Sequence, residues 1–197
     1  MSSGNFTCVG PGKTLAYLRG DLRKAASSVF LIGPWLDTYL AEQIVLHSSR
    51  QLQVRVLVRA EHQVEPEVWQ EIVSGLGKFA GHWNHFEVRT LERLHAKCLL
   101  IDDRLAYVGS ANWYRYSLET SLEIVLRGPM EAVPGLQNEC EALWEQATPY
   151  QIPAQRPAPA ATAATGITHE VLDPLAARVL KENPKAFILG KKKRRPS

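Results

Sequence analysis

The sequence predicts an α/β fold in which a mixed β-sheet is sandwiched between helices. Three observations point there. Up to about residue 80, helical and strand-like hydrophobic spacings alternate, the pattern of a layered sheet-and-helix domain. Four further short apolar runs follow between residues 86 and 126, enough to widen the sheet. A chain of 197 residues with 45% hydrophobic side chains can build one sizeable core and still leave a tail.

Taken in order, Leu15, Leu18, Leu22 and Ala25 recur at helical spacing and predict an amphipathic first helix. Ser28 to Gly33 is a short apolar run ending at Gly33-Pro34, which reads as a buried strand. Leu36, Tyr39, Leu40 and Ile44 predict a second helix. Leu52, Val54, Val56 and Val58 alternate with Gln53, Arg55 and Leu57, a strand of period two. Pro66 to Leu76 predicts a third helix with proline in its first turn. Strands are expected at Phe86 to Thr90, Lys97 to Ile101, Leu105 to Val108 and Ser121 to Leu126, with Asp102-Asp103-Arg104 as a turn. A closing helix is expected from about Met130 to Gln146.

The organisation is then a single domain over 1–150, a Pro/Ala-rich linker over 151–166 expected to be flexible, and a short helix with a basic tail over 167–197. Of the net charge of +3, five positive charges sit in Lys191 to Arg195, so without them 18 basic residues face 20 acidic ones. The body is near neutral, and the basic run is a possible nucleic-acid contact. Cys8, Cys98 and Cys140 are an odd set without metal-like spacing and read as reduced thiols. Met1 to Gly12 lacks the apolar core of a signal peptide, and no apolar run approaches the roughly 20 residues that span a bilayer. A cytoplasmic protein without stable membrane insertion is expected.

The chemistry-bearing stretch is His95-Ala-Lys97, four residues, Asp102, six residues, Gly109-Ser110, one residue, then Asn112. On a strand, His95 and Lys97 project from the same face. Two basic groups side by side make a poor core pair but a good phosphate site. Lysine supplies charge for the non-bridging oxygens, and a neutral imidazole is a nucleophile near pH 7. Gly109 is expected to permit a sharp turn at a strand end, placing Ser110 and Asn112 as donors near the same phosphate.

This register resembles the signature of the phospholipase D superfamily, over about Leu94 to Leu126, and the single motif resembles its small bacterial endonuclease branch. The resemblance implies a phosphohistidine mechanism without cofactor or metal. His95 would serve as nucleophile or general acid, with Lys97, Ser110 and Asn112 as phosphate ligands and Asp102 and Gly109 in support. It also implies a carboxylate on the following strand that orients the histidine. Glu123, in Ser121-Leu-Glu123, occupies that place, with Glu119 as the fallback. The family mechanism uses two histidines, and no second His-x-Lys occurs in the sequence. A homodimer through the active-site face is therefore expected.

Other features carry less. His82 and His85 flank Trp83 without a carboxylate or cysteine cluster, so no metal site is expected. Gly10-Pro-Gly12-Lys13-Thr14 echoes a phosphate-binding loop, but Thr7 stands where the first glycine is required and no preceding strand is expected. The expected activity is phosphodiester hydrolysis, with nucleic acid as the favoured substrate. The alternatives are a phospholipid (cardiolipin-type) phosphodiesterase and a catalytically idle nucleic-acid-binding module.

Overall fold

The computed structural model describes residues 5–153, so most of the expected linker and all of the helix and basic tail lie outside the described residues. The elements are β1 (Thr7–Val9), α1 (Thr14–Leu22), β2 (Ser28–Ile32), α2 (Thr38–His47), β3 (Gln53–Arg59), α3 (Pro66–Ala80), β4 (His85–Leu91), β5 (Cys98–Ile101), β6 (Leu105–Gly109), α4 (Arg115–Glu119), β7 (Val125–Pro129), α5 (Leu136–Gln146) and β8 (Thr148–Pro149). The strands form one eight-stranded sheet in the order β1-β7-β6-β5-β2-β3-β4-β8. β2, β3 and β4 run parallel, joined by α2 and α3, and the remaining pairings are antiparallel. The expected mixed sheet between helices is therefore what forms.

Side-chain alternation splits the core in two. On one face Phe30, Ile32, Leu57, Cys98, Leu100 and Ala106 pack with Met130, Cys140 and Trp144 under α5. The opposite face carries Val29, Leu31, Val54, Val56, Val58, Leu99 and Tyr107, all buried. There Tyr107 donates its hydroxyl to Asp21 of α1, and Arg127 of β7 pairs with the same carboxylate at 2.6 and 2.7 Å. Burial pushes that carboxyl up, but the bonds from Arg127 and Tyr107 outweigh it and leave it below the usual range. The pairing anchors α1 to the sheet.

Local signals explain most boundaries. Asp37 caps α2, accepting from Leu40 N at 2.8 Å, and Pro66 opens α3. The closing helix starts later than expected. Met130–Ala132 is a 3₁₀ turn, and α5 begins only at Leu136, after Pro134 and a left-handed Gly135 at φ 86°. That conformation suits glycine and interrupts a continuous helix. β1 precedes Gly10, where no strand was expected; it is three residues long and held by pairing with β7.

Two further strand starts differ from expectation, and both matter for the site. β5 begins at Cys98 rather than Lys97, and β7 at Val125 rather than Ser121. His95, Lys97 and Glu123 therefore lie in extended approaches to strands rather than within them.

Candidate active site

The sheet order brings the two ends of the motif, His95-Lys97 and Gly109-Asn112, to one edge. Ile32, the last residue of β2, pairs with Cys98, the first of β5, and Gly109, the last of β6, pairs with Val125, the first of β7. The C-terminal ends of the parallel strands β2 and β3 open on the same side. This is where open α/β sheets place ligands.

Lys97 is buried and His95 exposed. Although neither sits on the strand proper, they still meet. Lys97 Nζ donates to the His95 carbonyl at 2.9 Å and stands 3.3 Å from His95 Nδ1. The ladder reaches Lys97 as well, because Gly109 N donates to its carbonyl at 3.4 Å. The adjacent ammonium opposes protonation of the imidazole. Together with burial and the charge of Arg59, it lowers the His95 pKa below the ordinary histidine value. Burial lowers the Lys97 pKa, Glu123 works against that, and Arg59 adds to it.

Asp102 sits away from this edge, at the far end of β5, with a left-handed backbone at φ 54°. Its carboxylate accepts from the backbone N–H groups of Ala26, Ser27 and Ser28 at 2.7 to 3.0 Å, and from the Ser27 hydroxyl. Burial pushes the carboxyl up, but those bonds prevail and hold its pKa at about 2. Asp102 thus ties the β5–β6 turn to the start of β2, a supporting position.

Gly109 serves differently from expectation. Its backbone does not need a positive φ; instead a Cβ there would lie 2.2 Å from the Ile124 carbonyl oxygen. The glycine is required by close approach of the 124 backbone, not by a sharp turn. Ser110 then exchanges bonds with the same residue: Ser110 N donates to Ile124 O at 3.0 Å, and Ile124 N donates to Ser110 Oγ at 3.1 Å.

Glu123 does not take the expected place on the His95 ring within the chain. Ser110 Oγ donates to one of its oxygens, and Ser117 Oγ donates to the other at 2.7 Å. Ser117 Oγ also accepts from Asn112 N at 2.8 Å. Glu123 thereby clamps both ends of the Ser110–Ser117 loop that carries Asn112. The Asn112 side-chain oxygen is buried and makes no hydrogen bond among the described residues. The fallback, Glu119, belongs to another cluster: it accepts from Tyr39 and from Arg115 Nε, the latter at 3.1 Å.

Trp113 and Tyr114, which follow the motif, are buried. Trp113 Nε1 donates to Ile32 O at 2.7 Å, and its ring occupies the space that a Cβ on Gly33 would need. The site also gains residues that the sequence did not signal. Ser117 is one. Arg59, at the end of β3, is another: its Nε donates to Leu94 O at 2.9 Å, and its guanidinium lies 5.6 Å from the Trp35 ring centre. A separate groove lined by Glu61, His62, Thr90, Glu92, Gln146 and Tyr150 opens beside β4. Its two carboxylates make it a poor seat for a phosphodiester. Among the described residues no group of three or more His, Cys, Asp or Glu side chains could hold a metal ion, and no helix is long and apolar enough to cross a membrane.

Comparison with known proteins agrees with the fold. No curated protein sequence matches the chain. NucT from Helicobacter pylori shares the fold at a TM-score of 0.60 and 18% identity, over 75% of this chain and 100% of that one. Nuc from Salmonella typhimurium, a phospholipase D family member, does so at 0.61 and 13%, over 76% and 99%. Phosphatidylserine synthase from Haemophilus influenzae Rd KW20 aligns at 0.57 and 12%, over 76% of this chain but 41% of its own. The family model described as cardiolipin synthase, PLD-like domain, matches residues 18–144. The chain belongs to the phospholipase D-like family.

Proposed function

We propose that the chain is a nuclease that cleaves DNA or RNA through a phosphohistidine on His95, at a site completed by a second copy of the same chain. The observation that carries this reading is the pairing of one exposed imidazole with one buried ammonium at an open sheet edge. An imidazole nitrogen of one His95 attacks phosphorus, the P–O bond to the leaving group breaks, and His95 of the second copy gives that oxygen its proton. The second histidine then takes a proton from water as the water attacks phosphorus. The P–N bond breaks and the first imidazole leaves. Lys97 stabilises the charge on the non-bridging oxygens, with Ser110 and Asn112 as further ligands. The arriving phosphodiester is negative, which offsets Lys97 and lets one of the two imidazoles hold the proton it must donate.

One feature supports completion by a second copy. The segment leading into β7 exposes Leu122 (86%), Ile124 (62%) and Leu126 (43%) at every second position, immediately beside Ser110 and Glu123. A contiguous apolar stripe at the site edge suits an interface, and a two-fold axis there would bring the two His95 side chains together. Nucleic acid is favoured by Arg59 beside the motif and by the basic run at Lys191 to Arg195. The same apolar stripe favours a phospholipid as the second reading, because it could meet a membrane surface.

The test is incubation of the purified protein in EDTA with labelled DNA, RNA and phospholipid vesicles in parallel. The expected result is nucleic-acid cleavage that persists in EDTA and is lost in His95→Ala. Turnover of the vesicles alone would favour the second reading. Binding of DNA or RNA without turnover of any of the three would favour the idle module.

A further inference from the structure

We propose that Asp37 is a positioning residue for Asn112, which it sets at the site edge by holding the start of α4 against the chain that follows β2. The inference rests on the reading above, in which Asn112 is a phosphate ligand, and deepens it. Asp37 is buried and forms the N-cap of α2. One carboxylate oxygen accepts from Leu40 N at 2.8 Å, which caps that helix. The other accepts at 2.7 Å from the N–H of Arg115, the first residue of α4. One carboxylate thus caps two helices. Around it the two segments lie side by side. Asp37 N donates to Trp113 O at 3.2 Å, Leu36 and Trp113 form a parallel bridge, and Trp113 Nε1 donates to Ile32 O at 2.7 Å.

Asn112 depends on this tie. Tyr114, at the N-cap of α4, makes no side-chain cap bond, so the first N–H of that helix relies on Asp37. A helix of five residues is too short to persist alone and takes its place from what holds it. Asn112 lies between two anchors. Its own N–H donates to Ser117 Oγ on α4 at 2.8 Å, and the next residue, Trp113, is bound to Asp37 and Ile32. The Asn112 side-chain oxygen is buried and makes no hydrogen bond among the described residues, so the backbone, not that oxygen, fixes the side chain. A ligand misplaced by about 1 Å can cost about 100-fold in rate. A purely structural reading would confine Asp37 to capping α2.

The experiment separates these. Full-length proteins are assayed on bis(p-nitrophenyl) phosphate, a small diester. Asp37→Ser and Asp37→Asn each keep an oxygen that can cap α2 at Leu40, and neither carries the second carboxylate oxygen that Arg115 N uses. Each substitution is made in the wild-type protein and in Asn112→Ala. In the wild-type background both should stay folded by circular dichroism and lower kcat about tenfold or more. Where Asn112 is already alanine they should cost less than about twofold, because the two residues act as one unit. Hydrogen exchange on the wild-type protein should find the Arg115 N–H protected. An equal loss in both backgrounds, or an unchanged kcat in a folded Asp37 variant, would overturn the proposal. So would a wild-type Arg115 N–H that exchanges as freely as an exposed amide, a result that decides even where both variants fail to fold. A wild-type protein without diesterase activity, or Asn112→Ala with wild-type kcat, would instead overturn the reading on which the proposal rests; the Asn112→Ala control tells the two failures apart.

Discussion

Lys97 Nζ stands 3.3 Å from His95 Nδ1 while donating to the carbonyl of the same residue at 2.9 Å. The ammonium is thus fixed against the ring, and its charge is the largest influence lowering the His95 pKa. NMR titration should place His95 below the ordinary histidine value, so that its neutral fraction exceeds that of a free histidine at any pH near neutrality. Lys97→Met should move the pKa upward. A value at or above the ordinary one in the wild-type protein, or no upward movement in the variant, would contradict the geometry.

Glu123 acts on the Ser110–Ser117 loop. Removing it leaves the buried Ser117 hydroxyl without its acceptor, a loss of about 1–3 kcal/mol, while the exposed Ser110 hydroxyl can turn to water. Glu123→Ala should lower stability in denaturant unfolding by that amount, and Ser117→Ala should reproduce part of the loss. An unchanged unfolding midpoint in Glu123→Ala would remove the clamp from the account.

Asp102 gives a pH-dependent prediction. Its folded pKa of about 2 lies below the unfolded aspartate value, so the carboxylate stabilises the fold above about pH 4 and loses that contribution as pH falls through about 2. Asp102→Ala should cost about 2–3 kcal/mol at pH 7. The gap between variant and wild type should shrink across that acid window. A gap of constant size from pH 7 to pH 2 would mean that the bonds to Ala26, Ser27 and Ser28 are not its source.

Much of this was legible in the sequence. The interval from His95 to Asn112 fixed which residues meet, because β5, a tight turn and β6 return the chain to the same sheet edge. The hydrophobic periods located α1, β2, α2, β3, α3 and β4 within a few residues. What escaped depends on partners distant in the chain. β1 and β8 are three and two residues long, held by pairing with β7 and β4, and carry no periodic signal of their own. Glu123 reads as a strand residue by alternation, yet the chain bends to meet Ser110 and Ser117 before the ladder begins at Val125. Arg59 ends an ordinary strand. Only the neighbouring order β5-β2-β3 puts it beside His95.

The central claim is that one phosphodiester is handled by two copies of His95, and mixed dimers test it most directly. Wild-type and His95→Ala chains carrying different affinity tags are co-expressed, and the heterodimer is purified and assayed on the substrate that the wild type cleaves. A shared site lacks one histidine in that heterodimer, so its activity should fall roughly 100-fold or more below wild type, as when an acid–base partner is removed. Activity near half of wild type, or full activity in a protein that sediments as a monomer, would contradict the account.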